Sequence, residues 1–173
     1  MTRALSLAGL ALAAATLVSC GGPSGMLGVR WGDDSAGAAR KLHVDCATWH
    51  QWTDRAPGFE ECVDVNHPID AFGRKAYAHL YRAGDRIEGL ALKFLVCRDD
   101  PQLDKTIRDK FSLEDSKLPY YVVYWGDGVV HYERTDIIDD CVLTVAGSRF
   151  GKAFQSYQLY LGLANFSAHM RAR

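Results

Sequence analysis

The sequence has no appreciable excess of charge of either sign. Twenty Lys and Arg residues stand against twenty-one Asp and Glu, a formal net charge of −1. No basic stripe or polybasic block is present, which excludes a nucleic-acid footprint and a charge-driven membrane-surface segment. Catalytic signatures are lacking as well. G-x-S-x-G, H-E-x-x-H and C-x-x-C do not occur, so the common serine-hydrolase, zinc-peptidase and dithiol motifs are missing. Gly147-Ser148-Arg149-Phe150-Gly151-Lys152 approaches a phosphate loop, but it is one residue short between its glycines and lacks the following Ser or Thr. Proline is scarce and aromatics are plentiful, with five Pro against seven Phe, four Trp and eight Tyr. That balance excludes a disordered chain.

The one long uncharged run lies at the amino terminus. Arg3 and the terminal amine form a short positive segment, and Ala4 to Val18 follows without a charge. This is the pattern of an export signal, and it falls short of the roughly 20 apolar residues a membrane-spanning helix needs. The run ends in Leu17-Val18-Ser19-Cys20. That tetrapeptide resembles a bacterial lipobox, apolar and small residues before a cysteine. The resemblance implies cleavage before Cys20, a diacylglyceryl thioether on its sulfur and acylation of the new amino terminus. Residues 1–19 are then a removed signal peptide. Residues 20–26, rich in Gly with one Ser, read as a flexible lipidated tether. Cleavage without lipidation, leaving a free soluble protein, is the competing reading. Gly21 after the cysteine, rather than an acidic residue, is compatible with sorting to the outer membrane, facing the periplasm.

About 150 residues remain after the signal, enough for one domain with a core. Losing Arg3 takes the balance from −1 to −2. The expected globular domain covers 27–166, with a polar, frayed tail over 167–173. Four cysteines stay in it, Cys46, Cys62, Cys97 and Cys141. An even count in an exported domain suggests two disulfides with three possible connectivities. Cys46–Cys62 and Cys97–Cys141 are favoured. The first pair flanks a loop-like segment, and the second joins the end of one strand to the start of another. Cys46-x3-His50 with Cys62-x4-His67 has a spacing suited to zinc, but the oxidising compartment favours disulfides.

Hydrophobic periodicity gives an α+β reading. Asp33-Asp34-Ser35 caps a short helix over Ala36–Leu42. Cys62–Val65 is a short strand. Lys75–Tyr81 alternates, with Ala76, Ala78 and Leu80 opposite Tyr77, His79 and Tyr81. Ile87–Val96 returns after Arg82-Ala83-Gly84-Asp85, which makes a hairpin. Asp100-Pro101 opens a helix whose stripe is Leu103, Ile107 and Phe111. Tyr120–Trp125 and Val129–Arg134 form a second hairpin across Gly126-Asp127-Gly128. Val142–Ala146 is a further strand. Ser148 caps a last helix with Phe150, Phe154, Tyr157 and Leu161 on its buried side. The expected architecture is an antiparallel sheet of about four to six strands built from two hairpins, with the helices packed on one face.

Leu27-Gly28-Val29-Arg30-Trp31-Gly32, the capped short helix to Leu42 and the hairpin that follows resemble the BamE/SmpA outer-membrane lipoproteins over residues 27–96. That resemblance implies the fold of the β-lactamase inhibitor protein, a small sheet under two helices, and a non-enzymatic role through protein contacts. Asp33-Asp34 departs from the Met and hydroxyl residue usual there. The four cysteines and the second hairpin have no place in the family's minimal form. No functional residue carries over.

No constellation argues for catalysis. His43, His79, His131 and His169 are single. The doublets Asp33-Asp34, Glu60-Glu61, Asp99-Asp100 and Asp139-Asp140 could suit a two-carboxylate hydrolase, but acids at turns and helix starts usually solvate and cap. The residues with the best prospect of contacting a partner or ligand are aromatic: Trp49, Trp52, Tyr77, Tyr81, Tyr121 and Tyr132. Aromatics with a polar tip are enriched at interfaces, and core filling between sheet and helices is the alternative. The expected function is a membrane-anchored envelope lipoprotein, non-enzymatic, that binds another envelope protein. It uses no cofactor or metal. The alternative is a lipoprotein that binds a small ligand or glycan through these aromatics.

Overall fold

A computed structural model describes residues 23–95, 97, 100–113, 120–125, 128–134 and 140–171. For 120–125, 160 and 162–171 the description is of the backbone. Residues 1–19, expected as a signal peptide, and Cys20, Val96, Asp99, Pro119, the turn residues 126–127 and Asp139 lie outside the described residues.

The chain opens with a small hairpin, β1 (Gly25–Met26) and β2 (Val29–Arg30), which pair with each other. Helix α1 (Ser35–Leu42) follows. Asp34 caps it, accepting from the Gly37 amide at 2.7 Å. Three short strands come next: β3 (His50–Gln51), β4 (Glu60–Val63) and β5 (Ile69–Ala71). The long hairpin β6 (Arg74–Ala83) and β7 (Arg86–Phe94) turns on Gly84-Asp85. Gly84 has φ +59° there, a conformation that favours glycine. Helix α2 (Pro101–Phe111) has Asp100 as its cap, accepting from the Leu103 amide, and buries Leu103, Ile107 and Phe111. The second hairpin is β8 (Tyr120–Trp125) and β9 (Gly128–Arg134); β10 (Cys141–Ala146) and α3 (Ser148–Arg171) end the chain.

All ladders among the described residues are antiparallel. The main sheet has eight strands in the order β3-β4-β6-β7-β10-β9-β8, with β5 pairing β6 off that path. This exceeds the expected four to six because β3 and β5 are two and three residues long, too short for alternation to register; the strand expected over 62–65 is present as β4, shifted to Glu60–Val63. Both expected hairpins are present. They are not neighbours, because β10 lies between them and pairs with β7 and β9.

The expectation that helices cover one face is wrong. Ala76, Ala78, Leu80, Leu90, Leu92, Phe94, Leu143 and Val145 pack with Leu42 of α1 and with Leu103, Ile107 and Phe111 of α2. The opposite face is closed by α3, whose Phe150 and Phe154 meet Tyr81, Ala91, Val129 and Ala146. The physical reason is small side chains on that second face. A Cβ built on Gly89 would stand 2.8 Å from Phe150 Cδ1, so the bare backbone of β7 forms the seat for the ring. The sequence carried one hint. β9 is buried at every position from Gly128 to Tyr132, and a run apolar on both alternations belongs to a strand covered on both sides.

Three boundaries also move. Structure reaches back to Pro23, into the segment expected as a tether. Met26 is buried, the Trp31 indole N–H donates to the Pro23 carbonyl at 2.6 Å, and the Trp31 amide donates to Ser24 O. Helix α3 starts with Ser148 as its first helical residue, and the Gly147 carbonyl accepts its first bond. A Cβ at Gly147 would meet Trp31 at 2.9 Å. The helix then runs to Arg171, through the expected tail, because no proline interrupts it.

Candidate functional site

The cysteines are consumed by two disulfides. Cys46–Cys62 and Cys97–Cys141 have Cα separations of 5.5 and 5.9 Å, inside the ~7 Å reach of a bridge. Cys62 sits in β4, and Cys141 opposes Phe94 at the end of β7. The zinc spacing is therefore overturned, since both its thiols are bonded to each other. Among the described residues no group of three or more His, Cys, Asp or Glu side chains converges to hold a metal.

Beside the first disulfide lies a buried carboxylate that sequence reading passed over. Asp64 accepts from the amides of Asp45 at 2.6 Å, Asn66 at 2.9 Å and His67 at 3.1 Å, and its Oδ2 lies 2.9 Å from His67 Nδ1. Burial alone raises this carboxyl. The amide donors and the His67 ring outweigh it and hold the group at about 2. The arrangement is a structural knot joining the Cys46 loop to the end of β4. Its sequence signal was Asp64-Val65-Asn66, the start of a side-chain-bonded turn.

On the sheet's second face, Glu61 of β4 lies 2.8 Å from His79 Nδ1 of β6. Tyr81, also on β6, is buried, and both burial and Glu61 push its hydroxyl well above the usual phenol range. Arg82 donates to Glu60 at 2.8 Å and to Ser35 Oγ at 3.3 Å, and its guanidinium stacks 4.2 Å over Trp49. These groups lock β4, β6 and α1 together.

The six aromatics do not form one surface. Tyr81 is core filling under α3 and Trp52, partly buried, packs against the same cluster: Trp52 lies 4.7 Å from Phe150 and 5.1 Å from Tyr157, and Tyr81 stacks on Phe150 at 4.4 Å. Tyr132 is fully buried on the opposite face. Trp49 is half-buried under Arg82. Tyr77 lines a cavity of about 200 Å³, together with Pro68, Arg74, Phe94 and Leu95. Tyr121 lies on β8 opposite Tyr132; its side chain is outside the description.

Two features remain open. One is the outer edge of β8, Tyr120-Tyr121-Val122-Val123-Tyr124-Trp125. It pairs with β9 on one side, and among the described residues no strand pairs with the other. The other is a cavity of about 640 Å³ between the β1–β2 hairpin and the carboxyl end of α2. No protein-family profile, curated protein or solved structure matches this chain.

Proposed function

We propose that this protein is a lipid-anchored envelope lipoprotein, held through Cys20 and facing the periplasm from the outer membrane, that acts without catalysis by binding another envelope protein. The observation that supports the binding role is the β8 edge. Six consecutive residues without charge or proline present a backbone edge that no described strand pairs with, and such an edge is a template for an added strand. Sheets that avoid partners place lysine, proline or a bulge there; β8 has none of these in its sequence or its register. The lipobox resemblance supports the anchor, and the BamE/SmpA resemblance supports protein contacts over chemistry. The glycan alternative draws no support from Tyr81 and Tyr132, which are buried, or from Trp52, which is partly buried and packed against Phe150.

The test is photo-crosslinking in living cells, with benzoylphenylalanine in place of Tyr121 and, as a control, of the exposed Val65. A defined envelope protein captured from position 121 and not from 65 is the expected result. Equal capture from both positions, or none from 121, would remove β8 as the binding element.

A further inference from the structure

We propose that the cavity beside Pro23 is a headgroup site for an anionic phospholipid, and that it fixes which side of the domain lies against the bilayer. The inference rests on the lipid anchor proposed above. Its first support is tether length. Pro23 is part of the fold, held by the Trp31 indole, so only Gly21 and Gly22 separate it from Cys20. Three extended residues span at most about 11 Å. That is close to the ~8 Å screening length at physiological ionic strength. The Pro23 side of the domain is therefore kept next to the headgroup layer, within about one and a half screening lengths.

The second support is the chemistry of that side. The cavity is lined by the apolar Met26, Leu27, Val29 and Phe111 and by two cations, Arg30 and Lys110, with no acidic residue in the lining. The nearby carboxylate is occupied: Asp33 accepts from Lys41 Nζ at 2.6 Å and from the Arg30 amide at 3.1 Å. Asp109, next to Lys110, pairs with Lys105. A phosphodiester accepts from a guanidinium and an ammonium, and glyceryl and first methylene groups fit the apolar wall. A volume of about 640 Å³ is within the range of small-molecule sites. Net charge over the whole chain hides this patch, because the balance is nearly neutral.

The experiment uses the mature protein with its acyl chains, reconstituted in vesicles of phosphatidylcholine alone or mixed with phosphatidylglycerol. Ser112→Cys carries an environment-sensitive nitrobenzoxadiazole probe at the cavity rim. In the mixed vesicles the probe should shift to the blue and be quenched by brominated phosphatidylglycerol. Arg30→Glu with Lys110→Glu should reduce the anionic-lipid preference by about 25-fold or more, since each of the two cations near an anionic leaflet contributes roughly fivefold. Circular dichroism checks that this variant folds. Equal signals in both vesicle types, or full preference in the charge-reversed variant, would overturn the proposal. A signal in phosphatidylcholine vesicles that appears only with added inorganic phosphate would show a free-anion site and would also overturn it. Mass spectrometry of Cys20 separates the two readings. Without acyl chains the anchor reading fails, yet the Cys20 thiol coupled to a maleimide lipid restores the same tether and the charge comparison still decides the headgroup site.

Discussion

Asp64 is a carboxylate out of solvent whose partners come mainly from the backbone. Asp64→Ala should destabilise the domain by about 3 kcal/mol, because a buried acceptor for three amides disappears; a urea unfolding midpoint measures it. Asp64→Asn should cost less, since a carbonyl still accepts. Acid sensitivity follows with a definite sign. The Asp64 carboxyl is held at about 2 against 3.8, so its contribution is complete above the unfolded value and is lost as pH falls towards 2. His131 acts in the same direction at higher pH. Burial lowers its ring from 6.5 to about 4, so the fold keeps it neutral while the unfolded chain protonates. Stability should fall as pH drops from 6.5 to about 4, by on the order of 3 kcal/mol. His131→Phe should flatten that part of the curve; an unchanged slope would exclude His131 as its source. At this scale capping was legible: Asp34 and Asp100 cap α1 and α2 because the bond is made within three residues. Asp64 was half legible. Its Asn66 and His67 bonds are local, but Asp45 arrives from nineteen residues away.

The elements that could be read from sequence are those with their own periodicity. β6 and β7 alternate over nine or ten residues, and α2 repeats apolar residues every four. β3 and β5 exist because β4 and β6 offer ladder partners, and no local signal announces that. The disulfides act between elements. They close segments of 16 and 44 residues, which the chain-entropy model converts to about 3 and about 4 kcal/mol. Cys97→Ala with Cys141→Ala should therefore lower the unfolding midpoint more than Cys46→Ala with Cys62→Ala. The reverse order would show that strain or residual structure outweighs loop length. The docking of α3 has its own test. Gly89→Ala places a methyl 2.8 Å from a packed Phe150 ring and should destabilise by about 1–3 kcal/mol, with loss of near-ultraviolet aromatic ellipticity. A neutral Gly89→Ala would mean that α3 can lift from the sheet at little cost.

For the molecule as a whole, three helices among the described residues enclose the main sheet between two cores, with the β1–β2 hairpin stitched by Trp31 to the β10–α3 junction. No described helix is long and apolar enough to cross a membrane. The anchor reading is tested directly by Cys20→Ala. Labelled fatty acid should be incorporated into the wild type and not into this variant, and unprocessed precursor should accumulate. Equal labelling of both would sink the anchor, and with it the short-leash geometry at Pro23. Fractionation of the wild type into the inner membrane would refute the outer-membrane assignment while leaving the anchor standing.

Sequence alone was enough for what short-range chemistry decides: two capped helices, two hairpins, an α+β class, and two disulfides in the favoured pairing. Each depends on residues close in the chain, or, for the cysteines, on a compartment inferred from the amino terminus. Tertiary structure decided what depends on distant neighbours. It placed β10 between the hairpins, because backbone edges pair by shape and leave no local mark. It put α3 on the face lined by Gly89, Ala91 and Ala146, where the vacancy is visible only once β7 and β10 are side by side. The same packing turned Tyr81 from a candidate contact into core, set Trp52 against it, and drew Pro23 into the fold. An amphipathic stripe says that a helix must be buried; which surface has room for it is a property of the assembled sheet.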